Sequence, residues 1–172
     1  CIAELPPEKL GNAEGKRLLF AVSIDAYGPE EAFTRLLRRL RQTPDGLRGC
    51  FGGVIVDGEG ELYTKQAARD LILAANLAGC AFPGKPLTEG TGSLYNQHIQ
   101  ANRLHLSWEQ TYCWQIRQLA ERLQSFQLPR LEHPKLLMIH ASDNRRSNTV
   151  WMGNQILQRL PDTFDKRVIS LQ

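Results

Sequence analysis

The sequence lacks any apolar run near the ~20 residues that a membrane-spanning helix needs; its unbroken apolar stretches are strand-sized. That excludes a helical membrane protein. The segment from Cys1 to Glu14 carries two prolines and several charges and has no apolar stretch of the secretion-signal kind. The four cysteines, Cys1, Cys50, Cys80 and Cys113, are scattered, with no C-x-x-C pair. This spacing argues against a zinc or iron–sulfur cage. It predicts reduced thiols and a cytoplasmic protein. His98, His105, His133 and His140 form no cluster at metal-ligand spacing, so no metal is expected. No Gly-x-Ser-x-Gly elbow occurs, which excludes that hydrolase type. There is no strong excess of one charge either. With 21 Lys and Arg against 18 Asp and Glu, the net charge of +3 does not by itself call for nucleic acid.

What is present is the balance of a soluble globular chain: 172 residues, enough for one domain with a substantial core. The apolar run Arg17–Ile24, ending at Asp25, predicts a central strand buried on both faces. Pro29, Glu30 and Glu31 open a helix carrying Phe33, Leu36, Leu37 and Leu40 at helical spacing. The arginines flanking that stripe (Arg35, Arg38, Arg39, Arg41) read as its solvated face. Gly52–Asp57 is a second strand. Thr64 is placed to cap a helix from about 65 to 78, alanine-rich on its inner face and closed by Gly79. Residues 80–96 are the least regular region. Ser107-Trp108-Glu109-Gln110 is a capping box for a helix that Pro129 stops. A strand at 135–141, a helix at 148–160 and a strand at 167–171 end the chain.

Strands alternating with helices predict an α/β fold: a three-layer, open, mostly parallel sheet with helices on both faces. The last ~40 residues form one β-α-β unit, which cannot bury both of its faces alone. The expectation is therefore a single domain, 1–172, in which this unit extends the sheet made by the earlier strands.

Ligands in such sheets bind beyond the carboxyl ends of strands. Three strand ends carry polar loops: 25–27, 57–63 and 142–149. The third is the richest in phosphate ligands. Ser142, Ser147 and Thr149 can each donate an O–H, Asn148 adds an amide, and the N–H groups at the helix start point outward with a partial positive charge. Hydroxyls with backbone donors suit a bound monophosphate that is anchored without being cleaved. Elsewhere the signals are weaker. Gly90-Thr91-Gly92-Ser93 lacks the third glycine of a dinucleotide fingerprint and reads as a turn before a helix. Glu59 and Glu61 read as loop surface without a partner. Trp108, Tyr112 and Trp114 read as core.

The stretch Ala141-Ser142-Asp143-Asn144-Arg145-Arg146-Ser147-Asn148-Thr149 resembles the first phosphate loop of flavodoxin-like NAD(P)H-dependent FMN reductases, Gly-Ser-x-Arg-x-x-Ser-x-Thr between the first strand and the first helix. Ser142, Ser147, Asn148 and Thr149 match. Ala141 replaces the usual glycine, and Asn144 replaces the usual arginine, with Arg145 beside it. The likeness covers about 40 residues, 134–172. Gly53–Lys65 loosely resembles the ring-binding loop of the same family, and Gly84-Lys85-Pro86 its short lead-in to the next strand. The resemblance implies a flavodoxin-like fold with FMN held by Ser142, Asn144, Arg145, Ser147, Asn148 and Thr149. It implies NAD(P)H as co-substrate, a small acceptor such as a flavin or quinone, and a homodimer that completes the flavin pocket. No side chain need act as a catalytic acid or base, and neither a membrane nor nucleic acid is an expected partner. Residues 52–96 also look like the front half of longer bacterial proteins classed with these reductases, which implies a longer flavoprotein, of which 1–130 is a front part and 131–172 the start of a flavodoxin-like unit; a chain that begins without methionine fits a processed or excised piece. The alternative from another class is a non-catalytic α/β module that binds a partner subunit or a nucleotide.

Overall fold

The computed structural model describes residues 15–128, 132–142, 144 and 146–171. The chain divides into two compact units, Cys1–Phe126 and Gln127–Gln172.

The first unit is built on three parallel strands, β1 (Arg17–Ile24), β2 (Phe51–Gly58) and β3 (Leu87–Gly90), in that spatial order. Helix α1 (Glu31–Gln42) joins β1 to β2, and α2 (Thr64–Leu77) joins β2 to β3. A short α3 (His98–Leu104) and the long α4 (Trp108–Ser125) follow. Alternation along β2 decides what each face packs against. Val54 and Val56 point to one side and are fully buried with Ile24, Phe33 and Leu40 and with Ala67, Ala68, Leu71, Ala74 and Ala75 of α2. The alanines let α2 lie close to the strands. On the other side a Cβ added at Gly53 would sit 3.2 Å from Leu119 of α4, so glycine there lets the helix approach. Helices thus cover both faces of β2. Arg17 ties α4 to β1: its Nε donates to the carbonyl of Leu123 at 2.9 Å and its Nη2 to that of Phe126 at 3.3 Å. These are carbonyls that the helix end leaves unmet.

Three local expectations need correction. β1 lies at the edge of its sheet, and β2 is the central strand. Leu18, Phe20, Val22 and Ile24 of β1 turn inward, while Leu19, Ala21 and Ser23 are exposed. An unbroken apolar run does not distinguish a strand covered on one face from one covered on both. Thr64 does not cap α2: the N-cap is Tyr63, at φ +70, and the Thr64 hydroxyl donates instead to Glu89 Oε2 at 2.9 Å. β3 occurs inside the region read as irregular, directly after Pro86, where the resemblance implied a strand.

The second unit is a single β-α-β turn. β4 (Lys135–His140) and β5 (Asp165–Ser170) pair in parallel, His140 opposite Ser170, around α5 (Asn148–Arg159). These two strands form a sheet of their own and do not extend the first. The burial argument requires that their faces be covered; it does not require that a strand edge supply the cover. None of the described residues from 132 to 171 is buried, and Leu137, Ile139, Trp151 and Ile156 are each more than half exposed. No helix among the described residues is long and apolar enough to cross a membrane.

Candidate functional site

The loop after β4 leaves the carboxyl end of that strand, beside the end of β5, where Leu171 N–H bonds the carbonyl of His140 at 2.9 Å. Ser142 is half-buried directly after the strand. Asn144 organises the next turn. Its side-chain oxygen accepts from Arg146 N–H at 2.9 Å, and its main-chain carbonyl accepts from Ser147 N–H at 3.0 Å. Ser147 is the N-cap of α5: its Oγ accepts from Val150 N–H at 3.4 Å, and its carbonyl accepts from Trp151 N–H. Asn148 and Thr149 are the first two helical residues, both exposed. Their N–H groups have no acceptor within the helix. Arg145 lies outside the described residues. The loop therefore sets Ser147, Asn148 and Thr149 together at the start of α5, with Asn144 one turn before.

Ser147 Oγ spends a lone pair on Val150, which leaves its hydroxyl hydrogen available to an oxygen acceptor. The helix start adds unmet N–H groups and partial positive charge. That donor set, hydroxyls and main-chain amides without a carboxylate among the described members, suits a phosphate monoester. His140, at the end of β4, has a buried Nδ1 with no hydrogen-bond partner among the described residues. Its place at a strand end was visible in the sequence; its orphaned nitrogen was not.

The strand ends of the first unit are organised differently, since their loops bond to one another. Asp25 Oδ1 accepts from Tyr27 N–H at 2.7 Å and from Gly28 N–H at 2.8 Å, a self-contained turn. Glu59 N–H bonds the Ile24 carbonyl, and Gly92 N–H bonds the Gly60 carbonyl. Gly92 is needed there because an added Cβ would run into the carbonyl oxygen of Glu59. Glu61, read as partnerless, accepts from Ser93 N–H at 2.7 Å, across 32 positions of sequence. Hydrogen bonds from the Ser93 side chain, then its main chain, then Thr91 hold its carboxyl below the ordinary glutamate range. Glu89 carries the Thr64 hydroxyl and, at 3.4 Å, Lys65 Nζ. No local spacing announces these pairs, because sheet register creates them.

Cys50, Cys80 and Cys113 are free thiols. Burial, with Cys50 close by, pushes the Cys80 thiol up to about 12, which makes it inert at neutral pH. Burial, then Asp57, Cys113 and Glu89, pushes the Tyr112 hydroxyl up to about 12 as well. Among the described residues no group of three or more His, Cys, Asp or Glu side chains is placed to hold a metal ion. No protein-family model, curated protein or solved structure matches the chain.

Proposed function

We propose that the unit from 132 to 171 anchors the phosphate of FMN, as part of a flavodoxin-like oxidoreductase that uses NAD(P)H to reduce a small acceptor such as a flavin or quinone. The observation that carries this reading is the start of α5. Ser147 caps the helix with its hydroxyl hydrogen still available, and the N–H groups of Asn148 and Thr149 are exposed beside it. Ser142 and Asn144 stand on the same loop, and the loop's likeness to the reductase phosphate loop gives the anion its identity. A bound flavin would supply the hydride chemistry; the protein would supply phosphate anchoring and orientation. The fold alone licenses no activity.

The test is an FMN titration of the purified chain, followed by flavin absorbance and fluorescence. Each lost hydrogen bond to a charged phosphate is worth about 1.5–3 kcal/mol. Ser147→Ala combined with Thr149→Ala should therefore weaken FMN binding by at least about tenfold. Unchanged affinity sinks the site. A second reading is favoured by the same Ser147–Val150 bond, because that bond is all that an ordinary helix cap requires. In that reading the unit is a non-catalytic module for a partner subunit or a nucleotide. A colourless protein that takes up no added FMN selects it.

A further inference from the structure

A cavity of about 530 Å³ lies within the first unit, along the outer edge of β3, and is independent of the phosphate loop. Val54 N–H bonds the carbonyl of Pro86, and Val54 stands in register with Leu87. In a parallel pair that pattern turns Thr88 toward β2 and turns the N–H and C=O of Leu87 and Glu89 away from it. The Glu89 carbonyl is met on that side by Asn96 Nδ2 at 2.9 Å and Gln97 Nε2 at 2.7 Å. The Leu87 N–H and C=O and the Glu89 N–H have no partner among the described residues. The side chains of both residues serve the opposite direction: Leu87 packs on the main core, and the Glu89 carboxylate holds Thr64 and Lys65. What they present to the cavity is therefore main chain.

Across the cavity, α4 contributes Trp114, Gln118 and Arg122 at i, i+4 and i+8, one stripe of the helix. Arg122 Nη2 donates to the Lys85 carbonyl at 3.1 Å, while its Nε is buried with no hydrogen-bond partner among the described residues. A buried cationic donor left unmet costs free energy. Lys85 lines the same end and is held at φ +55, a conformation that favours glycine. A strained backbone at Lys85 and two cationic side chains lining one end of the cavity suit an anionic end group.

We propose that this cavity binds the carboxy-terminal end of an extended polypeptide, whose main chain pairs with the open edge of β3 and whose terminal carboxylate sits on Arg122 and Lys85. Both cations stand at the amino end of β3, so the bound chain runs antiparallel to it. The capped Glu89 carbonyl closes the open edge, which limits pairing to about three residues. The volume is that of an ordinary ligand site, and strand addition to a sheet edge is a general mode of peptide recognition.

The full chain is titrated with a pool of N-acetylated tetrapeptides randomised at every position, once as free acids and once as carboxyl amides. The amide resonances of Leu87 and Glu89 and the Trp114 indole are followed by NMR, with sodium acetate as a third arm. Saturable shifts at those three groups are expected with the free acids, at least tenfold weaker binding with the amides, and no saturable shifts with acetate. Arg122→Gln and Lys85→Gly should each weaken binding at least tenfold. The second variant relieves a left-handed lysine, so it keeps the test valid if the first does not fold. Equal binding of acids and amides, shifts reproduced by acetate alone, or no shift at these groups up to millimolar peptide overturns the proposal. None of these outcomes touches the FMN reading, which rests on the other unit.

Discussion

Two parallel β-α-β assemblies share this chain, and they differ in how far each satisfies itself. In the first, three strands and helices on both faces bury seventeen of the described hydrophobic residues, and the strand-end loops bond to one another. In the second, two strands and one helix bury none of their described residues, and Asn144, Arg146, Asn148 and Thr149 of the loop after β4 are exposed. The connection rule is the same for both, and it places a polar loop at every carboxyl end. What separates a closed turn from an open cradle is whether a neighbouring loop lies near enough to take its hydrogen bonds. Glu61 finds Ser93, and Gly60 finds Gly92. In the loop after β4, Asn144 and Ser147 bond instead to near neighbours in sequence, Arg146, Ser147, Val150 and Trp151.

The sharpest test sets the two interiors against each other. Leu71 is fully buried between α2 and the sheet, whereas Leu137 in β4 is 53% exposed. Leu71→Ala should cost about 2–5 kcal/mol in denaturant unfolding, the range for a buried leucine whose cavity cannot collapse. Leu137→Ala should change stability by no more than about 0.5 kcal/mol. A comparable loss for Leu137 would mean that the second unit is covered in solution, and the contrast would fail. A smaller effect is expected at the loops. Gly92→Ala drives a Cβ into the Glu59 carbonyl, which is backbone and cannot rotate aside, and should cost about 1–3 kcal/mol. Thr149→Ala, in the open loop, should stay within about 0.5 kcal/mol of the parent, since an exposed side chain there supports nothing else in the fold. Thermal unfolding of the two single variants reads this directly.

Much of the secondary structure was legible because it is local. Helical spacing of Phe33, Leu36, Leu37 and Leu40 placed α1, and the Ser107–Gln110 box placed α4, where both reciprocal bonds form. The parallel α/β arrangement followed from alternation. The order of strands did not, because an edge strand and a central strand can share one composition. The residue pattern alone did not show β3, because four residues ending in glycine carry no period; only the likeness of Gly84-Lys85-Pro86 to a strand lead-in pointed there. At the candidate site, the capping serine and the helix start could be read from residue types alone. The pairs that close the first unit's loops could not, since Thr64 with Glu89 and Glu61 with Ser93 exist only once three strands are in register. The orphaned nitrogens of Arg122 and His140 are likewise products of burial.

The finest distinction between the two regions lies in a titration. Glu61 is fully exposed, yet hydrogen bonds from Ser93 and Thr91 favour its charged form, so its folded pKa lies below the unfolded one. A lowered carboxylate contributes stability that is present above the unfolded pKa and is lost as pH falls through the folded value. Carbon-detected NMR should therefore place the Glu61 midpoint below the ordinary glutamate range. Ser93→Ala removes the largest of the three influences and leaves the main-chain N–H at 2.7 Å. The midpoint should then rise only part of the way toward the ordinary range. A full return would mean that the main-chain bond contributes nothing, and no movement would mean that the 58–63 and 90–97 loops are not closed on each other in solution. In that last case the first unit's strand ends would be as open as the loop after β4.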